Sequence, residues 1–228
     1  MAIHGKRYNE KLALVDRTAR YSFDEALALI RKSTLVGFDA SLDVAINLGI
    51  DAKSGEQRVR GTVVLPHGTG RVPKVAVFAQ GEAARAAQAA GADVVGADDL
   101  VAQIESGWAD FDILVAHPDM MKSVGRLGRT LGPKMPNRKA GTVADDLGAA
   151  IAELKAGRLE FKNERAGIVH SVFGKLSFTD EQLTENFNAL LDAIRRSKPA
   201  TSKGRFIKAI TISSSMSPGI KLDVSSFI

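Results

Sequence analysis

Acid–base and metal chemistry need particular side chains at particular spacings, and only four histidines are present: His4, His67, His117 and His170. None lies four residues from another on a helical pattern, and none has a carboxylate at metal-ligand spacing, so no metal site is expected. His117 opens an HPD tripeptide at the end of an apolar run, where α/β folds gather ligand-binding groups, but a turn residue is the simpler reading. No G-x-S-x-G elbow presents a serine nucleophile, and there is no cysteine to act as nucleophile, thiolate ligand or disulfide half. HGTG (67–70) and GEAARAAQAAG (81–91) match neither phosphate-loop pattern, and Glu82 would repel a phosphate at the start of the helix after Gly81. HGTG reads better as a hinge, because its two glycines allow sharp backbone changes. These residues predict no catalytic site and no cofactor.

What remains is the chemistry of binding. Residues 82–119 hold eight acids against one base, Arg85, whereas residues 120–140 hold six bases and no acid. Charge this segregated fits a chain in which selected surfaces meet a polyanion, although solvated faces would give the same pattern. All of the basic run but Lys122 lies in VGRLGRTLGPKMPNRKAGT (124–142), whose four glycines and two prolines predict an irregular loop able, with Lys122, to touch phosphates, Lys134, Arg138 and Lys139 among its bases. SSSMSPG (213–219) carries hydroxyls on a glycine-bearing loop, which suits close approach to a sugar–phosphate backbone. Met216 within it, and Phe38 between Gly37 and Asp39, are either core side chains or exposed contacts; methionine usually fills core gaps, so the core is the default.

The elements that must position these residues follow from periodicity. A helix is predicted over 22–32, with Ser22 and Glu25 at capping-box spacing and Phe23, Ala26, Leu27 and Ile30 on one face. LDVAINLG (42–49) alternates as a half-buried strand, and RVRGTVVL (58–65) after the polar loop DAKSGEQ is expected to pair with it antiparallel. From KVAVFA (74–79) to FDILVA (111–116), strand, helix, strand, helix, strand predicts a doubly wound parallel unit, followed by a helix in DDLGAAIAELKAG (145–157). RLEFK (158–162) and GIVHSVFG (167–174) read as a second pair. A helix then starts at the capping box Thr179/Gln182 and carries the stripe Leu183, Phe187, Leu190, Leu191, Ile194. FIKAITI (206–212) and IKLDV (220–224) are further strands. The fold class is α/β in two domains: a discontinuous α+β domain with an antiparallel sheet (1–66 and 158–228) and an inserted α/β domain (67–157).

The 228 residues are 45% hydrophobic and 25% charged, enough for one large domain or two small ones, with a net charge of +5 and a pI near 9.5. No run of about 18 apolar residues predicts a membrane span. The first residues lack the apolar centre of a signal peptide, so a cytoplasmic chain is expected.

HGKRY (4–8), INLGID (46–51), VRGTVVLPHGTG (59–70), AGADVVG (90–96), WADFDILVAHPDMM (108–121), LGPKMPN (131–137), AGTV (140–143), EFKNE (160–164) and SMSPG (215–219) resemble, in this order, the L-one family of ribosomal proteins. Members belong to the mobile side stalk of the bacterial large subunit. The resemblance implies a split first domain that binds stalk ribosomal RNA and a Rossmann-like second domain inserted through a two-strand hinge. It also implies repression of the protein's own messenger, contact with tRNA leaving the exit site, and a monomer outside the ribosome. Carried over by position, the RNA surface would use Phe38, Ser41, Asp43, Glu164, Arg165, His170, Lys175, Ser215, Met216 and Ser217. Lys162, Arg165, Lys175 and Lys208 are expected to contact phosphates from the strands of the split domain. The family's longer LGPRGLMPNPK appears shortened as LGPKMPNRK, with Arg138 in place of a proline, and its T-M-G appears as Ser215-Met216-Ser217. An enzyme using the α/β middle for a nucleotide or phosphosugar is the rival, and it would need a phosphate loop or an acid–base pair at strand ends.

Overall fold

The computed structural model describes residues 5–51 and 57–227. In chain order the elements are α1 (Lys6–Leu12), α2 (Phe23–Ser33), β1 (Ser41–Leu48), β2 (Arg60–Val64), β3 (Val75–Phe78), α3 (Gly81–Ala89), β4 (Val94–Gly96), α4 (Asp98–Glu105) and β5 (Ile113–Ala116). They continue as α5 (Met121–Arg126), α6 (Gly128–Leu131), α7 (Leu147–Lys155), β6 (Arg158–Lys162), β7 (Ile168–Lys175), α8 (Asp180–Arg196), β8 (Ile207–Ser214) and β9 (Ile220–Lys221). His4 and residues 52–56, most of the polar loop singled out above, lie outside the described residues, as does the side chain of Lys139. No described helix is long and apolar enough to cross a membrane. The chain divides into two compact units, one holding the chain through Gly70 and again from Leu159, the other Arg71–Arg158.

The first unit is built on β1. Its Leu42, Val44, Ile46 and Leu48 are buried and the residues between them half-exposed, so one face of the sheet packs and the other stays open. β7 and β8 flank β1, both antiparallel, and β9 extends the sheet in the order β7-β1-β8-β9. The expected pairing of β1 with β2 is therefore incorrect. β2 pairs with β6 in a separate two-stranded sheet, where Gly61 leaves room for the Phe161 ring: a Cβ there would stand 2.7 Å from Phe161 Cζ. The expected pair of β6 and β7 is likewise reduced to one bridge, Asn163 to Val169. Both edges of β1 are taken by strands carrying larger buried sets, which local loop reasoning does not weigh. Helices α2 and α8, each opened by the capping box read from the sequence, cover the closed face. Phe23 and Phe187 stack there at 4.5 Å with Phe173 edge-on to Phe187 at 5.7 Å.

The second unit has the parallel order β4-β3-β5. Val75, Val77 and Val115 pack with α3 and α7, while Ala76, Phe78 and Leu114 pack with α4, α5 and α6 on the other face. The stretch expected to be an irregular loop is largely helical. Val124, Leu127 and Leu131 form a buried stripe, and Gly125 and Gly128 face open space, so the glycines do not break the turns. Helix α1 has no counterpart in the sequence reading, because it buries none of its own residues and so leaves no apolar stripe.

Buried Asn186 on α8 acts as a surrogate strand partner. Its Nδ2 donates to Gly68 O and to Phe173 O on edge strand β7, each at 2.9 Å, and its Oδ1 accepts the His67 N–H at 3.0 Å. His67 Nε2 also lies 2.6 Å from Glu185 Oε2. The start of HGTG, read from the sequence as a hinge, is tied to α8. Asn186→Leu keeps the size but strands three backbone groups, so we expect a loss of about 2–4 kcal/mol in unfolding free energy. Faster exchange of the His67 amide by hydrogen–deuterium measurement should accompany it; a protein as stable as wild type would remove the tie from the fold's energetics.

Candidate nucleic-acid interface

The open face of the four-stranded sheet is a floor of mostly small and polar side chains, with Val172 and Ile168 among them, whose rows follow from the register. Ser41 stands opposite Lys175, Asp43 lies between Val172 and Ser213, and Ala45 between His170 and Thr211, with Lys221 beyond Thr211. Asn47 lies between Ile168 and Ala209. β1 spans eight residues, about 26 Å at a strand's rise per residue.

At one end of this floor two large apolar side chains project into solvent, so the core default for both is wrong. Phe38 is 63% and Met216 75% exposed. Met216 is the one non-glycine residue with positive φ (65°) among those described. That conformation costs an ordinary residue about 1–2 kcal/mol, and the turn around it is locked. Ser217 Oγ accepts the Ser214 N–H at 2.9 Å and donates to Ser214 O at 3.1 Å, and the Ser217 N–H also donates to Ser214 O. The Ser215 N–H donates to Ser41 O at 3.1 Å, fixing the turn to the start of β1. The Ser217 hydroxyl is therefore spent on holding Met216, whereas those of Ser41 and Ser215 make no hydrogen bond among the described residues.

The backbone beside Phe38 is fixed by Asp39 and, through the segment it bonds, by Arg31. The Asp39 carboxylate accepts from Ser177 N–H at 3.0 Å and from Ser177 Oγ at 2.9 Å. Arg31 donates to the carbonyls of Leu176 and Phe178 and pairs with Asp180. Partners about 140 residues away leave no local signal. Lys175 has its Nζ 3.8 Å from Asp39, and its stem fills the space that a Cβ on Gly70 (φ 75°) would need. It is part of this frame as well as a cation at its edge.

The other predicted cations are more dispersed than expected. Lys208 is exposed at the β8 irregularity, at the far end of the floor. Arg165 sits on the exposed turn before β7 rather than on a strand, and Lys162 lies on β6, outside the four-stranded sheet. His170 rises from the floor with its Nε2 2.9 Å from Glu164 Oε1. In the second unit Lys134 is not a free cation: its Nζ donates to Phe111 O at 2.5 Å and lies 4.7 Å from the Phe111 ring centre. Exposed in the basic stretch are Lys122, Arg126 and Arg129, spaced i, i+4, i+7 along α5 and α6, with Arg138 beyond. His117, the other residue weighed for chemistry, accepts the Asp119 N–H at 3.4 Å and caps a turn.

Burial on the floor pushes the Asp43 carboxyl above its usual range, and His170 opposes this only in part. The fold thus prefers the neutral acid, and the stability this group contributes falls as pH rises through its raised pKa. We expect Asp43→Asn to melt higher than wild type near pH 7, with the gap closing toward about pH 4 as the wild-type acid protonates. A gap that stayed constant with pH would show that the change acts by packing alone.

One face of the sheet thus combines half-exposed polar side chains with Lys175 and Lys208 at its two ends and two exposed apolar side chains on hydrogen-bonded turns. The family model described as the ribosomal protein L1p/L10e family matches residues 29–218 of this sequence. The chain belongs to that family.

Proposed function

We propose that the open face of the four-stranded sheet is the ribosomal-RNA surface and that the RNA it holds is that of the mobile side stalk. Family membership makes the chain a ribosomal protein of the large subunit that binds ribosomal RNA, a structural rather than an enzymatic role. The observation that carries the assignment to this face is Met216. A strained, exposed apolar side chain on a turn closed by its own neighbours gains nothing for the free protein, and it is ready-made to pack on a nucleic-acid surface. Phe38 supplies a ring at the same end. Ser41, Ser215 and the Asp43 carboxylate can take ribose hydroxyls, which distinguishes RNA from DNA. Lys175, Lys208, Arg165 and Lys162 supply phosphate contacts around it.

In this reading the protein's own messenger would use the same face, so that messenger and ribosomal RNA compete and free protein represses its own translation. Contact with deacylated tRNA leaving the exit site would fall to the second unit, through Lys122, Arg126 and Arg129, with Arg138 nearby, rather than through Lys134.

Two substitutions separate shape from charge. Met216→Gly relieves the backbone strain and removes the apolar contact, so we expect an unchanged or slightly raised melting temperature and RNA binding weaker by about 1–3 kcal/mol. The dependence of affinity on salt should not change. Lys208→Ala should weaken binding to all RNAs and lower the salt slope by about one unit. Normal RNA binding by Met216→Gly would move the interface elsewhere. For the second unit, Lys122, Arg126 and Arg129 changed together to alanine should leave ribosomal-RNA affinity within about threefold, or about 0.7 kcal/mol, while weakening tRNA binding measured separately. Collapse of ribosomal-RNA binding in that variant would place the primary site on α5 and α6.

A further inference from the structure

Helix α1 stands against the β8–β9 side of the open face and encloses a cavity of about 280 Å³. Its floor is Thr211 with Lys221, side by side in the sheet and on the open face, because Thr211 is in register with Ala45. Tyr8 and Leu12 of α1 form the wall, Arg17 stands at the rim, and Gly219 keeps the opening clear, since a Cβ there would press on Thr211 Cγ2 at 3.0 Å.

Three features make this more than a gap. The wall is fixed although α1 buries none of its residues: Lys11 Nζ donates to Lys32 O at 2.7 Å and Val15 is buried just after the helix. Asp16 accepts from Thr18 N–H at 2.8 Å and Thr18 Oγ1 at 2.6 Å, and the Asp16 N–H donates to the Tyr21 hydroxyl, so the turn presenting Arg17 is set. Arg17 and Lys221 have no acidic partner among the described residues; the acids nearest to them in sequence are engaged locally, Asp16 by Thr18 and Asp223 by the Ser225 N–H. The lining is also divided, with an aromatic and an aliphatic side chain on the wall and a hydroxyl and two cations on the floor and rim. A nucleotide is divided in the same way, into a flat apolar base, a hydroxylated sugar and an anionic phosphate. The volume lies at the small end of ligand pockets, which suits one such group and no more. Gly219 follows Met216 by three residues, so RNA packed on that side chain lies beside the opening.

We propose that this cavity takes one unstacked nucleotide of the bound RNA, with the base against Tyr8 and Leu12, the ribose at Thr211 and the phosphate between Arg17 and Lys221. The proposal rests on the reading that the open face binds RNA, and it adds a site that distinguishes a splayed-out nucleotide from a continuous helix.

The test uses the full-length protein and the ribosomal-RNA fragment it protects from nuclease. Tyr8→Leu keeps an apolar wall but loses the ring, and should weaken binding about tenfold without changing the salt slope, with Tyr8→Phe restoring it. Arg17→Gln with Lys221→Gln should lower the slope by about two units. Ultraviolet crosslinking of the wild-type complex should join the peptide holding Tyr8 to a single nucleotide. Melting temperatures near wild type for each variant exclude a displaced helix, and Met216→Gly serves as the reference for the face itself. If Met216→Gly weakens binding while every cavity variant binds as wild type, the pocket is overturned and the face stands. If none weakens, both fall. If the double variant weakens ribosomal RNA and duplex DNA equally and Tyr8→Leu changes nothing, the cavity is only a patch of charge and the nucleotide pocket is overturned.

Discussion

Hydrogen bonding of β1 along both its edges is the constraint on which the first unit depends. β1 comes from the early part of the chain, and both its neighbours, β7 and β8, come from beyond residue 158. The unit is therefore complete only when two distant segments meet, and the alternation in β1 decides how they meet. A slip of one residue would turn Leu42, Val44, Ile46 and Leu48 out to solvent. The two irregularities in pairing, at Leu42/Asp43 with β7 and at Asn47/Leu48 with β8, lie near the ends of the strand. Pairing between them is regular, which gives the long, even polar floor.

In the proposed RNA surface, specificity comes from the ends of that floor. Phe38 and Met216 are exposed for different mechanical reasons. Phe38 stands on a loop held from below by Asp39 and Ser177, and Met216 on a turn closed by Ser217 and anchored to Ser41. In both cases polar groups are used to fix an exposed apolar one. Ordering these side chains in the free protein lowers what must be ordered on binding.

Charge divides less simply than its sum suggests. Several acids of the 82–119 run are engaged locally in the second unit. Asp112 pairs with Arg71 and accepts the Lys74 N–H, Asp110 pairs with Lys74, and Asp93 accepts the Val75 N–H. These contacts hold the starts of the parallel strands. The basic run is divided as well: Lys134 serves the fold, while Lys122, Arg126 and Arg129 stay exposed on helices that their apolar stripe secures. A segregated sequence thus becomes partly paired, and only the remainder is available to a polyanion.

Periodicity and capping signals in the sequence determined the elements with a packed face: the alternation of β1, the capping boxes of α2 and α8, and the alternating strands and helices around β3. These signals are local, because burial on one face imposes a period on neighbouring residues. Motif resemblance, also in the sequence, pointed to Phe38 and Met216 against their default as core residues. Tertiary structure alone decided which strands pair, since proximity in sequence pointed to β2 and the larger buried sets of β7 and β8 took both edges of β1. It alone showed α1, which has no buried stripe to announce it, and the supports Asp39, Arg31 and Asn186, whose partners lie more than 100 residues away for all but one of Asn186's bonds. It also turned Lys134 from a ligand contact into a structural residue. A side chain's chemistry is written in its type, but whether that chemistry is spent inside the fold or offered to a partner depends on what distant chain is brought beside it.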